Sequence, residues 1–136
     1  MIGVAVLGST GSIGDSTLDV CARHPEQFRV VGLGANRNVA KLLEQCARFR
    51  PDRVALADPA AALEFERAAR ARGLAVEVLA GEAGLVDLAR DPAAGFVMAA
   101  IVGAAGLASS LAAAGAGKRL MLANKEALVM SGPLLI

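Results

Sequence analysis

Val4-Ala5-Val6-Leu7-Gly8-Ser9-Thr10-Gly11-Ser12-Ile13-Gly14 decides how the rest of the chain is read. Four apolar residues in a row, without polar alternation, suit a central strand of a parallel sheet buried on both faces. Three glycines follow at once, and a helical pattern runs from about Ser12 to Arg23, ended by His24-Pro25. A glycine-rich turn between a first strand and a helix serves three needs in nicotinamide enzymes. It gives a tight turn, close approach of backbone to a pyrophosphate, and close packing of helix on strand. The helix start adds free N–H groups and a partial positive charge. The spacing here is GxxGxxG rather than GxGxxG, so context carries the reading. The turn opens a helix within a βαβ unit of the right length.

Working outward, Phe28–Leu33 reads as a second strand. Asn38 can cap a helix running to about Arg48 that presents Leu42, Leu43 and Cys46 on one face, with Pro51 stopping it. Arg53–Ala57 is a third strand, and Asp58-Pro59 opens a helix with cap and first-turn proline in the favoured order, ending near Arg72-Gly73. Strands are expected over Ala75–Leu79, Gly95–Val102 and Leu120–Ala123, and helices over Glu82–Arg90, Leu107–Ala114 and from Lys125 onward. This alternation with short connections predicts an α/β fold. It is a doubly wound parallel sheet, NAD(P)-binding and Rossmann-like, with helices on both faces and one domain over residues 1–136.

Composition excludes several functions. A net charge of +1 provides no field to gather nucleic acid or an anionic membrane, and with no Trp, no Tyr and four Phe there is little for base stacking. The uncharged run from Pro92 to Gly117 is long enough to span a bilayer, but it is dominated by Ala and Gly and splits at Gly103 and Gly106. We read it as a strand and a helix. Met1 runs directly into a strand without a basic leader, so a cytoplasmic protein is expected. Cys21 and Cys46 fit no CxxC or metal spacing and read as free, buried or half-buried thiols. No acidic pair marks a metal site, and lone His24 reads as a helix-end residue. Gly115-Ala116-Gly117-Lys118 fails as a phosphate loop because Arg119 stands where Ser or Thr must hold magnesium.

After the second strand, NAD-selective sites place an acid on the ribose 2′-hydroxyl. This chain has Gly34-Ala35-Asn36-Arg37-Asn38. No carboxylate there repels a 2′-phosphate, and Arg37 can pair with one. Such a charge-assisted bond is worth about 1.5–3 kcal/mol, or roughly tenfold to a hundredfold in favour of NADPH over NADH. Leu122-Ala123-Asn124-Lys125-Glu126 follows the last strand, where α/β sheets place ligands, yet it reads equally as an ordinary helix start.

Three runs together carry a resemblance: Gly8–Gly14 with Ser16-Thr17-Leu18-Asp19-Val20, Met98–Leu107, and Leu122–Glu126. In this order they resemble the 1-deoxy-D-xylulose 5-phosphate reductoisomerase family over the whole chain. The resemblance implies conversion of 1-deoxy-D-xylulose 5-phosphate to 2-C-methyl-D-erythritol 4-phosphate, in non-mevalonate isoprenoid biosynthesis. It also implies NADPH, a divalent cation (Mg or Mn) and a homodimer. By resemblance, Thr10, Gly11, Ser12 and Ile13 hold the pyrophosphate, and Asn36, Arg37 and Asn38 surround the 2′-phosphate. Asn124 and Glu126 face the nicotinamide side, and Lys125 reaches the sugar-phosphate substrate. The family often carries Gly-Lys-Asn where this chain has Asn36-Arg37-Asn38, a departure that keeps the cation. No catalytic residue and no metal ligand of the family falls within this chain. The apolar ending Leu134-Leu135-Ile136 reads as a truncated piece of a longer protein that carries the catalytic and C-terminal domains, so the piece alone is expected to be inactive. Two alternatives stay open: another NADP-dependent oxidoreductase with a GxxGxxG turn, and a non-catalytic nucleotide-binding module. The short-chain type would need a Tyr-x-x-x-Lys pair, and the chain has no tyrosine.

Overall fold

A computed structural model of the chain describes residues 1–100 and the strand 119–122. Strands β1 (Ile2–Leu7), β2 (Phe28–Ala35), β3 (Arg53–Leu56), β4 (Glu77–Ala80), β5 (Phe96–Ala99) and β6 (Arg119–Leu122) form one sheet. All of its pairings are parallel, and the order is β4-β3-β2-β1-β5-β6. Four helices connect the strands up to β5: α1 (Ser12–Arg23), α2 (Val39–Phe49), α3 (Pro59–Ala71) and α4 (Gly81–Ala89). The expected helices over 107–114 and beyond 125 lie outside the described residues.

Helices lie on both faces, as the alternation predicts. Val4 and Val6 of β1 point into a core built with Leu18 and Cys21 of α1, Leu42 and Cys46 of α2, and Phe65 of α3. Ala5 and Leu7 point the other way, into a second core with Leu85, Leu88 and Ala89 of α4. The chain therefore winds outward from β1 to β4 with its helices on one face. It then returns across the other face through α4 to place β5 against β1. The strand order reverses between β1 and β5, and such a crevice at the carboxyl ends is where open α/β sheets bind ligands.

The caps follow the sequence signals. The Asp58 side chain accepts from the Ala60 amide at 3.1 Å with Pro59 opening α3, and the Asn38 side chain accepts from the Lys41 amide at 3.2 Å at the start of α2. Before Pro51, Arg50 closes α2 in the left-handed region at φ 48°. Both cysteines are buried and free.

Several boundaries differ from expectation. β2 continues past Leu33 through Gly34 to Ala35, β4 starts at Glu77 instead of Ala75, and β5 spans Phe96–Ala99 within the expected Gly95–Val102, of which residues 101 and 102 lie outside the described residues. The glycines of β2 are required by α4: a Cβ at Gly32 would lie 2.6 Å from Leu88 Cδ1, and one at Gly34 would lie 2.9 Å from Leu85 Cδ2. β2 also holds one extra residue. Val4 pairs Val30 but Ala5 pairs Gly32, so Val31 is a bulge. At the opposite, amino-terminal edge, Arg53 sits between Glu77 and Asp91, and Arg29 holds Asp52 through two hydrogen bonds. No described helix is long and apolar enough to cross a membrane. The described part of the uncharged run is strand β5 and its flanks.

Candidate cofactor site at the carboxyl edge of the sheet

The site begins where β1 ends. Leu7 stands opposite both Gly34 and Ala99, so the Gly8–Gly14 turn leaves the sheet beside the ends of β2 and β5. Gly8 turns with φ 89°, a conformation that excludes most side chains. The amides of Gly8 and Ser9 both donate to the Gly34 carbonyl, at 2.7 and 2.9 Å, and the Gly11 amide donates to Gly8 O at 3.2 Å. These bonds fold the turn back onto β2.

The glycines divide the work. A Cβ at Gly14 would lie 2.6 Å from the Cα and carbonyl carbon of Ser9, so this glycine lets α1 pack on the turn. Gly11 differs. Its φ of −86° and ψ of 175° suit any residue, and a Cβ there would meet only Gly8 O, at 3.6 Å. Nothing in the described protein needs a glycine at 11, which leaves the space for a group from outside. Gly11 is also the N-cap of α1 and offers no side chain to the helix. The amides of Thr10, Ser12 and Ile13 find no acceptor among the described residues. Gly11, Ser12 and Ile13 are exposed and Thr10 is half-buried, so these unpaired donors face outward in the manner of a helix start that suits an anion.

Asn36, Arg37 and Asn38 follow β2 at the same edge and are all exposed. The Arg37 carbonyl accepts from Val39, while its side chain pairs with no acid among the described residues. Asp58 is tied to this loop through its backbone. Its amide donates to Asn36 O at 3.1 Å, but its carboxylate is occupied by the Ala60 amide. Asn38 spends its side-chain oxygen on capping α2, leaving the amide nitrogen to donate outward. Asn124, Lys125 and Glu126 lie outside the described residues, as does the link to them. The strand they follow ends at Leu122, opposite Ala99 and at the same edge.

The sequence reading passed over four residues that support the turn from behind. Gln45 of α2 is buried and its Nε2 donates to the Ser9 carbonyl at 2.7 Å and to Asp15 Oδ1 at 3.3 Å. Lys41 Nζ reaches Asp15 Oδ2 at 2.5 Å. Ser9 is fully buried, with its hydroxyl unpartnered among the described residues. The available signal was a polar Gln45 inside the apolar stripe Leu42-Leu43-Cys46. The apolar hollow lined by Val4, Thr17, Val20, Phe28, Phe96 and Met98 opens on the α1 face, and its one hydroxyl, that of Thr17, donates to Ile13 O. No group of three or more His, Cys, Asp or Glu that could hold a metal occurs among the described residues.

A family model for 1-deoxy-D-xylulose 5-phosphate reductoisomerase matches residues 4–132. The chain belongs to the 1-deoxy-D-xylulose 5-phosphate reductoisomerase family. Reductoisomerase relatives include the protein of Nitrosococcus oceani, 55% identical over 98% of this chain, and that of Burkholderia multivorans, 59% identical over 95%. The chain spans about a third of the length of these curated relatives, 34% and 32%. Among solved structures, a reductoisomerase with NADPH, fosmidomycin and magnesium matches at a TM-score of 0.91 and 46% identity. That match covers 97% of this chain and 32% of the other. The Zymomonas mobilis enzyme with NADPH matches at 0.88 and 44%, covering 98% and 34%. Family membership removes the alternative of another NADP-dependent oxidoreductase with a GxxGxxG turn.

Proposed function

We propose that this chain is the NADPH-binding part of an enzyme that converts 1-deoxy-D-xylulose 5-phosphate to 2-C-methyl-D-erythritol 4-phosphate, with residues 1–136 acting as its cofactor domain. The observation that carries the reading is the division of labour in the glycine turn. Gly8 and Gly14 are needed by the fold, whereas Gly11 and the unsatisfied amides around it are needed only by a ligand. Solved relatives with NADPH support the cofactor, and the similarity of this chain to them supports the same use here.

In this reading Thr10, Gly11, Ser12 and Ile13 hold the pyrophosphate, with backbone donors and the positive end of α1 facing its charge. Arg37 pairs with the 2′-phosphate, and Asn36 and Asn38 flank it. Asn124 and Glu126 stand on the nicotinamide side, and Lys125 binds the sugar phosphate. When bound, the nicotinamide supplies the hydride that reduces the rearranged substrate. The magnesium in a solved relative supports a divalent cation for the whole enzyme. The described residues offer no cluster for it, so no step at a metal is assigned to them. A cytoplasmic homodimer completes the proposal.

Calorimetric titration of the full-length protein tests it. NADPH is expected to bind about tenfold to a hundredfold more tightly than NADH, the worth of one charge-assisted bond. Equal affinities would remove Arg37 from the 2′-phosphate, and failure to bind either nucleotide would overturn the reading.

A further inference from the structure

Gln45 is an expensive residue in its place. Only 7% of it is exposed, and the other buried residues of α2, Val39, Leu42, Leu43 and Cys46, are apolar. Its Oε1 has no hydrogen-bond partner among the described residues. An apolar residue of similar size would avoid burying that unpaired acceptor. Nε2 is where the amide makes its bonds. It faces two acceptors, the Ser9 carbonyl at 2.7 Å and Asp15 Oδ1 at 3.3 Å, so nitrogen must be the atom presented there.

The bond reaches across 36 residues to one peptide of the glycine turn. A trans peptide is planar, with its C=O and N–H pointing oppositely. Holding the Ser9 carbonyl toward α2 therefore aims the Thr10 N–H away from α2, to the side where Gly11 is exposed. Asp15 joins the arrangement, since its carboxylate lies between Gln45 and Lys41 and Lys41 offsets its charge next to the unpaired donors of the turn. The start of α2 at Asn38 follows Arg37 directly. The same helix thus carries the 2′-phosphate loop at its first turn and grips the pyrophosphate turn further along.

We propose that Gln45 is a positioning residue for the cofactor: its Nε2 fixes the Ser9–Thr10 peptide in the orientation that binds pyrophosphate. The proposal rests on the reading of the turn as the NADPH site. The test compares wild type, Gln45→Met and Gln45→Glu in the full-length protein, titrated with NADPH by fluorescence between pH 6 and 8. Affinity is expressed as a ratio to wild type at each pH, because a phosphate monoester itself titrates near pH 6. Gln45→Met keeps the volume and loses the donor, so NADPH binding is expected to weaken at least tenfold at every pH. Gln45→Glu at pH 8 puts a second carboxylate beside Asp15 and aims an acceptor at the Ser9 carbonyl. Binding there is expected to fall further than for Gln45→Met. The introduced carboxyl faces Asp15 and Lys41, with Glu44 and Arg48 lining the adjoining hollow. As pH falls, its protonation supplies an O–H donor in place of Nε2, so its ratio to wild type recovers toward pH 6 while that of Gln45→Met stays flat.

A filler role predicts the opposite pattern, and either of two results overturns the proposal. One is Gln45→Met binding like wild type. The other is equal weakening of both variants without recovery for Gln45→Glu. Circular dichroism and thermal melts accompany each titration. If Gln45→Glu unfolds at pH 8, Gln45→Met and the pH 6 comparison decide the matter. Wild type failing to bind NADPH counts against the site itself. Wild type binding with both variants unimpaired counts against Gln45 alone.

Discussion

One methyl group placed at Gly11 or at Gly14 separates what the fold needs from what the ligand needs. At Gly14 the new Cβ would stand 2.6 Å from Ser9 backbone atoms, which cannot swing aside as a side chain can. Alanine in a helix gains up to about 1 kcal/mol over glycine, but overpacking of this kind costs about 1–3 kcal/mol and forces α1 off the turn. Gly14→Ala is therefore expected to be destabilised by roughly 1–2 kcal/mol, and to lose NADPH affinity because the donors move. At Gly11 the Cβ meets one atom, at an ordinary 3.6 Å. The unfolded-state gain of about 0.4–1 kcal/mol and the poorer N-cap value of alanine nearly offset each other. Gly11→Ala should thus match wild-type stability within roughly 0.5 kcal/mol yet bind NADPH at least about tenfold more weakly. Gly11→Val is expected to abolish binding while leaving the fold intact. Guanidinium unfolding and calorimetry on the full-length protein measure both quantities. Undiminished binding by Gly11→Ala would show that the pyrophosphate does not approach there. Wild-type stability of Gly14→Ala would refute the packing argument.

Three further outcomes are expected. Arg37→Ala should bring NADPH affinity down to that for NADH, a loss of about 1.5–3 kcal/mol in NADPH binding with little change for NADH; calorimetry with both nucleotides checks it. Asp58→Ala removes the acceptor for the Ala60 amide at the start of α3 and should cost about 1 kcal/mol in chemical unfolding, with α3 the first helix to lose amide protection in hydrogen exchange. The bidentate hydrogen bond from Arg29 holds Asp52 below the ordinary carboxylate range. Its folded pKa is depressed, so the stabilisation is complete above the unfolded value of about 3.9 and is lost as pH falls below that through the folded value. Both side chains are about half exposed, 48% and 51%, and the pair is worth at most about 1 kcal/mol. Asp52→Asn should be less stable by that amount at pH 7 and equal to wild type near pH 2, as stability measured against pH would show.

Much of the fold was legible because local signals and tertiary packing agreed. Val4–Leu7 reads as a buried strand and is one, and Asp58-Pro59 reads as a helix start and caps α3. Where they disagreed, packing won. Gly34 looks like the turn after a strand, but β2 runs through it because Leu85 of α4 needs the space a side chain would fill. The neighbour of β1 was not readable, because β5 arrives from far along the chain and its placement depends on α4 crossing the sheet. In the site, Gly11 and Arg37 carried their own chemistry in their sequence context. Gln45 was marked only as a polar residue within the apolar stripe of α2, and its partner, a backbone carbonyl 36 residues away, left no local trace.

The bulge in β2 ties these features to one another. Without the extra residue Val31, an unbroken register from Val4↔Val30 would set Leu33 opposite Leu7, and every following side chain of β2 would change faces. Leu33 now lies in the core with α1, α2 and α3, and that core would lose it. With the bulge, Gly34 stands opposite Leu7, and its carbonyl takes both the Gly8 and the Ser9 amides. A side chain at this position would lie 3.1 Å from Leu7 Cδ2 and closer still to Leu85, so the residue that receives the turn has to be small. Gly34 holds two amides and Gln45 holds the Ser9 carbonyl, so these inward backbone groups of the turn are spent on the protein. The Thr10, Ser12 and Ile13 donors are then the ones left over, all outside the sheet and beside the loop that carries Arg37. This row of free donors arises because the strand beneath it is out of step by one residue.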